Sequence, residues 1–295
     1  MPADWCINTG IPDVEFDLNN KVTLDPKFFY LHKGFKMKRL IFQASVGNPS
    51  KLYTTCINSV AEYCKKYSID HIVLSEPKLK IRPDPSRTGR NSQTLERLGY
   101  MPIYEKENAF EYSDRYDQIA IVDSDIYIKP AAPNVFLDLT QEYDFGGVVE
   151  RELPLTPEYK NRISIYSRSA FTNLKDVDWR WNHLGAEFYN MGLMVMNKSF
   201  AKYLNGQTPK EFITRTEFKD FVDGVGFYKW STDQMLLNWF VKKEKIKCKN
   251  MDWRWNSLYT AVTKDRQRES FFTHFFLRDY LPQRGENIEE VLKTI

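Results

Sequence analysis

The sequence predicts an α/β fold, and three observations carry that prediction. Short apolar runs alternate with stretches of helical spacing, one apolar run ends directly in the acidic pair Asp123 and Asp125, and no run reaches the roughly 18 residues of a membrane-spanning helix. The 295-residue chain is 42 % hydrophobic and 27 % charged, a globular balance able to bury a sizeable core. Length alone admits one large domain or two smaller ones.

Residues 1–36 mix prolines, Gly10 and several Asp and Asn without steady periodicity, and end in Phe28-Phe29-Tyr30. They read as an N-terminal extension held on the main body by those aromatics, with the main domain spanning 37–295. From Arg39, the run Leu40-Ile41-Phe42-Gln43-Ala44-Ser45-Val46 reads as a buried strand that stops at Gly47-Asn48-Pro49. Leu52, Cys56, Val60 and Tyr63 or Cys64 then recur at helical spacing, and His71-Ile72-Val73-Leu74 follows as a strand, giving a β-α-β unit. Lys78 to Arg97, rich in Arg, Lys, Pro and Ser, reads as an exposed, solvated loop. Pro102 to Ser113 predicts a helix and Gln118 to Val122 a strand. Phe145 to Val149 and Met191 to Met196 are further strands, and Thr232 to Lys245 is a helix capped by Thr232 or Ser231. The pentad Asp178-Trp179-Arg180-Trp181-Asn182 returns as Asp252-Trp253-Arg254-Trp255-Asn256, but the flanks do not continue the match, so no duplicated domain is inferred.

Forty-two basic and 39 acidic side chains leave a net charge of +3, which gives no case for obligatory attraction to nucleic acid or membrane. Cys6, Cys56, Cys64 and Cys248 show neither disulfide-framework nor zinc-ligand spacing. Together with an N-terminus lacking a signal pattern, they suggest reduced thiols in a cytoplasmic protein, of a host cell if the gene is viral. No phosphate loop, dinucleotide fingerprint or nucleophile elbow occurs, and Gly224-Val225-Gly226 lacks the third glycine. Aromatic residues reach 15 %, and flat rings suit sugar and base stacking as well as cores.

In an open α/β sheet, ligands bind beyond the carboxyl ends of the strands, where Asp123 and Asp125 lie and where Ala44-Ser45-Val46 ends the first strand. Alternation puts the two carboxylates on one side, where they repel unless a cation lies between them; hard oxygen ligands suit Mg²⁺ or Mn²⁺ on a diphosphate. A solvated turn after a strand is the competing reading. Asp176-Val177-Asp178 has the same spacing in a polar stretch, so spacing alone decides nothing. His274, inside Phe271-Phe272-Thr273-His274-Phe275-Phe276, is either a third ligand or a hydrogen-bonded core histidine.

Four blocks in order resemble the glycogenin-like and lipopolysaccharide galactosyltransferase-like retaining glycosyltransferases. These are Tyr116 to Ile126 with its D-x-D, Phe188 to Asn197, Ser231 to Asn238 with Asp233-Gln234, and the late His274. The resemblance spans roughly Met37 to Pro282. It implies a GT-A nucleotide-sugar fold, a single mixed and mainly parallel sheet flanked by helices. It further implies Mn²⁺ or Mg²⁺ held by Asp123, Asp125 and His274, and a donor-sugar pocket at Asn190 and Gly192. Asp233 and Gln234 would face the reacting centre, and Lys106 would reach the donor, unless it is simply an exposed helix lysine. The partners implied are a nucleoside-diphosphate sugar, UDP-sugar foremost, and an acceptor hydroxyl on a glycan or other molecule, with retention of configuration. The family's G-x-x-K-P-W is replaced by Phe276-Leu277-Arg278-Asp279-Tyr280-Leu281-Pro282, where Arg278 stands in for a diphosphate-binding lysine. Ala44, Ser45 and Val46 are placed at the nucleotide base by position. Two alternatives stay open: a non-catalytic carbohydrate-binding protein of the same fold, and a transferase acting on modified nucleic acid; Arg82, Arg87, Arg90, Arg97 and Lys242 to Lys249 could meet either an anionic glycan or modified nucleic acid.

Overall fold

The computed structural model describes residues 37–295 apart from 48 and 91; the expected extension over residues 1–36 lies outside the described residues. Lys38–Ile295 forms one compact unit. In chain order its main elements are β1 (Arg39–Ala44), α1 (Lys51–Tyr67), β2 (Asp70–Leu74), α2 (Gln93–Leu98), β3 (Gln118–Val122), β4 (Ile126–Ile128), β5 (Phe145–Val149), α3 (Pro157–Phe171), β6 (Tyr189–Asn197), α4 (Asp233–Lys243), β7 (Cys248–Asn250), β8 (Ser257–Leu258) and β9 (Phe272–His274).

Six strands form one sheet in the order β2-β1-β3-β6-β5-β7. β1 is parallel to β2 and β3, β5 is parallel to β7, and β6 alone runs antiparallel to its neighbours β3 and β5. This is the expected mixed, mainly parallel sheet. Its central strands β3, β5 and β6 are buried throughout, which is why they read as near-continuous apolar runs rather than alternating ones. α1 buries Leu52, Cys56, Val60, Tyr63 and Cys64, the stripe its spacing predicts.

A second sheet adds to the expected architecture. β4, β9 and β8 pair in that order, with Ile126 opposite His274. Strands of two or three residues carry too little pattern to be read from sequence.

Three expectations are corrected in whole or in part. The segment Pro102–Tyr112 is a 3₁₀ helix, and Tyr104 to Phe110 are buried without interruption rather than along one stripe. Lys78 to Arg97 is exposed along most of its length, as expected, but it is an anchored strap that ends in α2 rather than a free loop: Leu79 and Ile81 are buried, and the amides of Lys78, Leu79 and Lys80 donate to the Glu105 carboxylate at 2.8–3.1 Å. Arg87 pairs with Asp220 at 2.6 Å and Asp223 at 3.1 Å, while the Arg90 guanidinium donates to the carbonyls of Phe221 and Val222. Finally, Thr232 stands at the N-cap of α4 without a side-chain cap bond, and the Ser231 hydroxyl donates instead to the Phe221 carbonyl at 3.3 Å. The repeated pentads share only an opening turn, in which Asp178 and Asp252 accept the amides of Arg180 and Arg254.

Candidate active site

β3 and β6 meet where the site begins. The amide of Asp123 donates to the Gly192 carbonyl at 2.8 Å, placing the acidic pair against the glycine of β6. The small sheet then brings in the histidine: Phe275 N donates to Asp125 O at 2.9 Å, in register with the Ile126–His274 pair. As a result His274 Nε2 lies 3.3 Å from Asp125 Oδ1 and 4.0 Å from Asp123 Oδ2. Ligand atoms of the three residues all lie within 4.8 Å of one another.

The histidine is oriented from behind. Asn256 Nδ2 donates to Asn190 Oδ1 at 2.9 Å, so Asn256 Oδ1 faces His274 Nδ1 at 3.0 Å and can accept its proton. That assignment leaves Nε2, directed at the carboxylates, as the nitrogen with a free lone pair. Burial pulls the His274 pKa down, but the Asp125 carboxylate outweighs it and the net shift is upward. Asp125 is likewise pushed up by burial and pulled down further by His274, ending below the usual carboxylate range. An Asp-Asp-His set converging on one point is the donor chemistry that suits a divalent cation such as Mn²⁺ or Mg²⁺.

Beside this cluster, Lys106 is buried rather than exposed. Its ammonium lies 2.7 Å from Asp233 Oδ2 and 3.0 Å from Asp123 Oδ1, and donates to the Met191 carbonyl at 2.9 Å. Burial raises the Asp233 pKa, with Asp123 adding repulsion and Lys106 opposing. Glu107, next along, is fully buried with neither carboxylate oxygen hydrogen-bonded, and burial raises its pKa well above the usual range.

Two clefts of about 400 and 410 Å³ share Ile103, Lys106, Asp123, Asp125 and Asp233. Ala44, Ser45, Val46 and Tyr53 line the first; Asn190, Gly192, Gln234 and His274 line the second. The structure therefore places all eleven expected site residues other than Arg278 along these two clefts, with Lys106, Asp123, Asp125 and Asp233 shared. Arg278 lines neither cleft: its guanidinium sits 5.1 Å from the Tyr53 ring centroid and 3.8 Å from Glu286.

The chain is similar in structure to glycosyltransferases. One, involved in glycosylation of the major capsid of PBCV-1, is 11 % identical, with 86 % of this chain and 99 % of that chain covered and a TM-score of 0.46. An active-site mutant of LgtC is 15 % identical over 86 % of this chain and 95 % of that chain, with a TM-score of 0.49. Mouse xyloside xylosyltransferase 1 is 11 % identical over 83 % and 99 % of the two chains, with a TM-score of 0.44. No protein-family model matches the sequence. No curated protein matches it either.

Sequence reasoning missed one wall of the second cleft. Glu150, Tyr159, Arg162 and Tyr166 line it, the last three from one face of α3. Glu150 accepts from the Tyr159 hydroxyl and Asn190 Nδ2, both at 2.8 Å, yet burial outweighs these bonds and raises its pKa. The signal was present: Thr156 caps the helix by accepting the Tyr159 amide, Pro157 opens it, and Tyr159, Ile163 and Tyr166 recur at helical spacing.

Part of the basic patch expected to meet an anionic glycan or nucleic acid is tied up within the protein. Besides Arg87 and Arg90, Lys242 pairs with Glu187, Lys243 with Asp176 and Lys249 with Asp138. Among the described residues no helix is long and apolar enough to cross a membrane.

Proposed function

We propose that the chain is a divalent-metal-dependent glycosyltransferase that moves a sugar, with retention, from a nucleoside-diphosphate sugar to an acceptor hydroxyl on a glycan. The observation that carries this reading is the Asp123, Asp125 and His274 cluster, which stands between two clefts that meet at its carboxylates. A site built to break a sugar–diphosphate bond needs room for the nucleotide on one side, the sugar and acceptor on the other, and positive charge at the bond.

In this reading Asp123, Asp125 and His274 would hold Mn²⁺ or Mg²⁺, whose chemistry is to neutralise charge on the departing diphosphate. Ala44, Ser45 and Val46 meet the base at the carboxyl edge of β1. Lys106, buried between Asp123 and Asp233, fixes both carboxylates and adds a cation beside the diphosphate position. Asn190 and Gly192 border the sugar. The acceptor oxygen bonds to the anomeric carbon as the bond to the diphosphate breaks, and the acceptor proton passes to the departing phosphate oxygen. Gln234 accepts the Met191 amide at 3.2 Å and lies 3.5 Å from the Tyr166 hydroxyl, so its carbonyl is fixed with one lone pair left to face the positive sugar centre.

A thermal-shift panel of UDP, GDP, CMP and their common sugars, with and without Mn²⁺, tests this, because a ligand that binds only the native state raises its apparent stability. A metal-dependent rise with one nucleotide sugar is expected. A flat response across the panel would sink the enzyme reading and favour a carbohydrate-binding protein.

A further inference from the structure

A third cleft, of about 780 Å³, lies beyond the second and is lined in part by Thr156, Lys264, Arg268 and Tyr280. None of these residues belongs to the cluster or to the donor-side walls. Among the described residues neither Lys264 nor Arg268 has a carboxylate within ion-pair distance of its side chain, so both charges are free to meet a ligand in the cleft. Lys293, also in the wall, pairs with Glu290 at 2.6 Å. One acidic residue, Asp265, shares the lining.

The second and third clefts are joined by one helix and one ring. Thr156, the N-cap of α3, borders the third cleft, whereas Tyr159, Arg162 and Tyr166 of the same helix border the second. Ten residues of α3 span roughly 15 Å, longer than a single sugar ring. At the junction the Arg162 guanidinium stands 5.7 Å from the Tyr280 ring centroid. Tyr280 is 67 % exposed, so the rest of its ring is open to a ligand. Arg162 itself has no ion-pair partner among the described residues. An exposed ring with one guanidinium over it, in the wall of a cleft that also carries Lys264 and Arg268, is a surface for a chain whose rings stack and whose substituents are anionic.

We propose that the third cleft is an extended acceptor subsite for an anionic oligosaccharide, one carrying carboxylate, sulfate or phosphate groups, which threads past Arg162 and Tyr280 toward the cluster. This rests on the proposed transfer reaction and names its acceptor class. Ion pairs at Arg87, Lys242, Lys243 and Lys249 interrupt the basic track that a nucleic-acid acceptor would need, which disfavours that acceptor.

The test is calorimetric titration of the full chain, without nucleotide, using galacturonic acid, its tri- and hexasaccharide, a sulfated hexasaccharide, neutral maltohexaose and hexauridylate. Affinity should rise with oligomer length for at least one anionic series, weaken with salt, and be negligible for maltohexaose. The Lys264→Glu, Arg268→Glu double variant should bind the preferred hexamer about tenfold more weakly. Both side chains are exposed, so the variant's thermal shift with Mn²⁺ and nucleotide should match wild type, and Lys264→Ala, Arg268→Ala serves as a milder control. Preference between the carboxylated and sulfated series identifies the anion. Equal binding of maltohexaose, preference for hexauridylate, or an unchanged affinity in the double variant would overturn the proposal. Failure of the nucleotide panel would instead overturn the transfer reaction, and the two readouts are independent.

Discussion

Lys106 Nζ lies 2.7 Å from Asp233 Oδ2, tying the 3₁₀ segment before β3 to the first residue of α4. Its second ion pair, to Asp123, makes one buried ammonium the counter-charge for two carboxylates that reach the site from different elements. The cation is as much a structural clamp as a site residue, because Asp233 is buried and its carboxylate and that of Asp123 would otherwise repel each other.

Lys106→Met keeps the side-chain length and removes the charge. Taking one partner from a buried ion pair leaves an uncompensated charge, so the variant should lose about 3 kcal/mol, or roughly 6–12 °C in Tm for a domain of this size. Added Mn²⁺ should recover part of the loss by neutralising Asp123. Differential scanning calorimetry with and without Mn²⁺ checks both, and an unchanged Tm would show that the pair carries no weight.

Gly192 exists for His274. A Cβ on Gly192 would overlap the imidazole, lying 2.7 Å from its Nδ1, and the ring cannot swing away without losing its bond to Asn256. Gly192→Ala should therefore displace Nε2 from the carboxylates and weaken Mn²⁺ binding by about 10- to 100-fold, the range typical when the group orienting a ligand is lost. Asp125→Asn should abolish Mn²⁺ binding outright while leaving the circular dichroism spectrum intact. Titration calorimetry with Mn²⁺ reads both; wild-type affinity in either would remove the metal assignment.

How much of this was legible depended on whether the information was local. β1 and β3 announce themselves because strands covered on both faces are continuously apolar, and α1 because its five buried positions repeat at helical spacing. The acidic pair was visible at the end of β3, and His274 by its aromatic flanks. Their meeting was legible only through the family resemblance and not from local pattern, since it is made by a three-residue strand, Ile126–Ile128, too short to leave one. The strap through Arg87 and Arg90 looked solvated because its counter-charges and acceptor carbonyls lie more than 130 residues away, at Asp220, Phe221, Val222 and Asp223. Glu150 follows a strand that reads simply as apolar, and nothing adjacent marks it as facing a cleft.

Asp144 gives the fold a pH dependence remote from the site. Burial pushes its pKa up, but hydrogen bonds from Ser199, Lys202 and Tyr203 outweigh it, and the folded value falls below that of the unfolded chain. Lys202 Nζ stands 3.0 Å and the Tyr203 hydroxyl 2.8 Å from Asp144 Oδ2. A depressed carboxylate pKa contributes stability that is complete above the unfolded value, about 3.9, and is lost as pH falls toward the folded one. Urea unfolding from pH 6 to pH 3 should show a shallower loss for Asp144→Asn than for wild type. Parallel curves would contradict the assignment.

Asn238, in the motif Asp233-Gln234-Met235-Leu236-Leu237-Asn238, is a structural clip rather than a cleft residue. Its Oδ1 accepts the Tyr189 amide at 2.7 Å, while Nδ2 donates to the carbonyls of Tyr189 and Gln234, both at 2.8 Å. One fully buried amide thus completes the backbone at the start of β6 and fixes the turn of α4 that carries Gln234. Asn238→Ala strips a partner from one buried N–H and from two carbonyls at once, and an unsatisfied buried group costs about 1–3 kcal/mol, so a loss of about 3 kcal/mol is expected. Asn238→Asp restores only the acceptor and should be little better, because the two carbonyls then face a desolvated carboxylate. Chemical denaturation of both variants checks the stability, and Mn²⁺ titration separates the clip from the site: Asp123, Asp125 and His274 do not touch Asn238, so affinity for the metal should survive in whatever fraction remains folded.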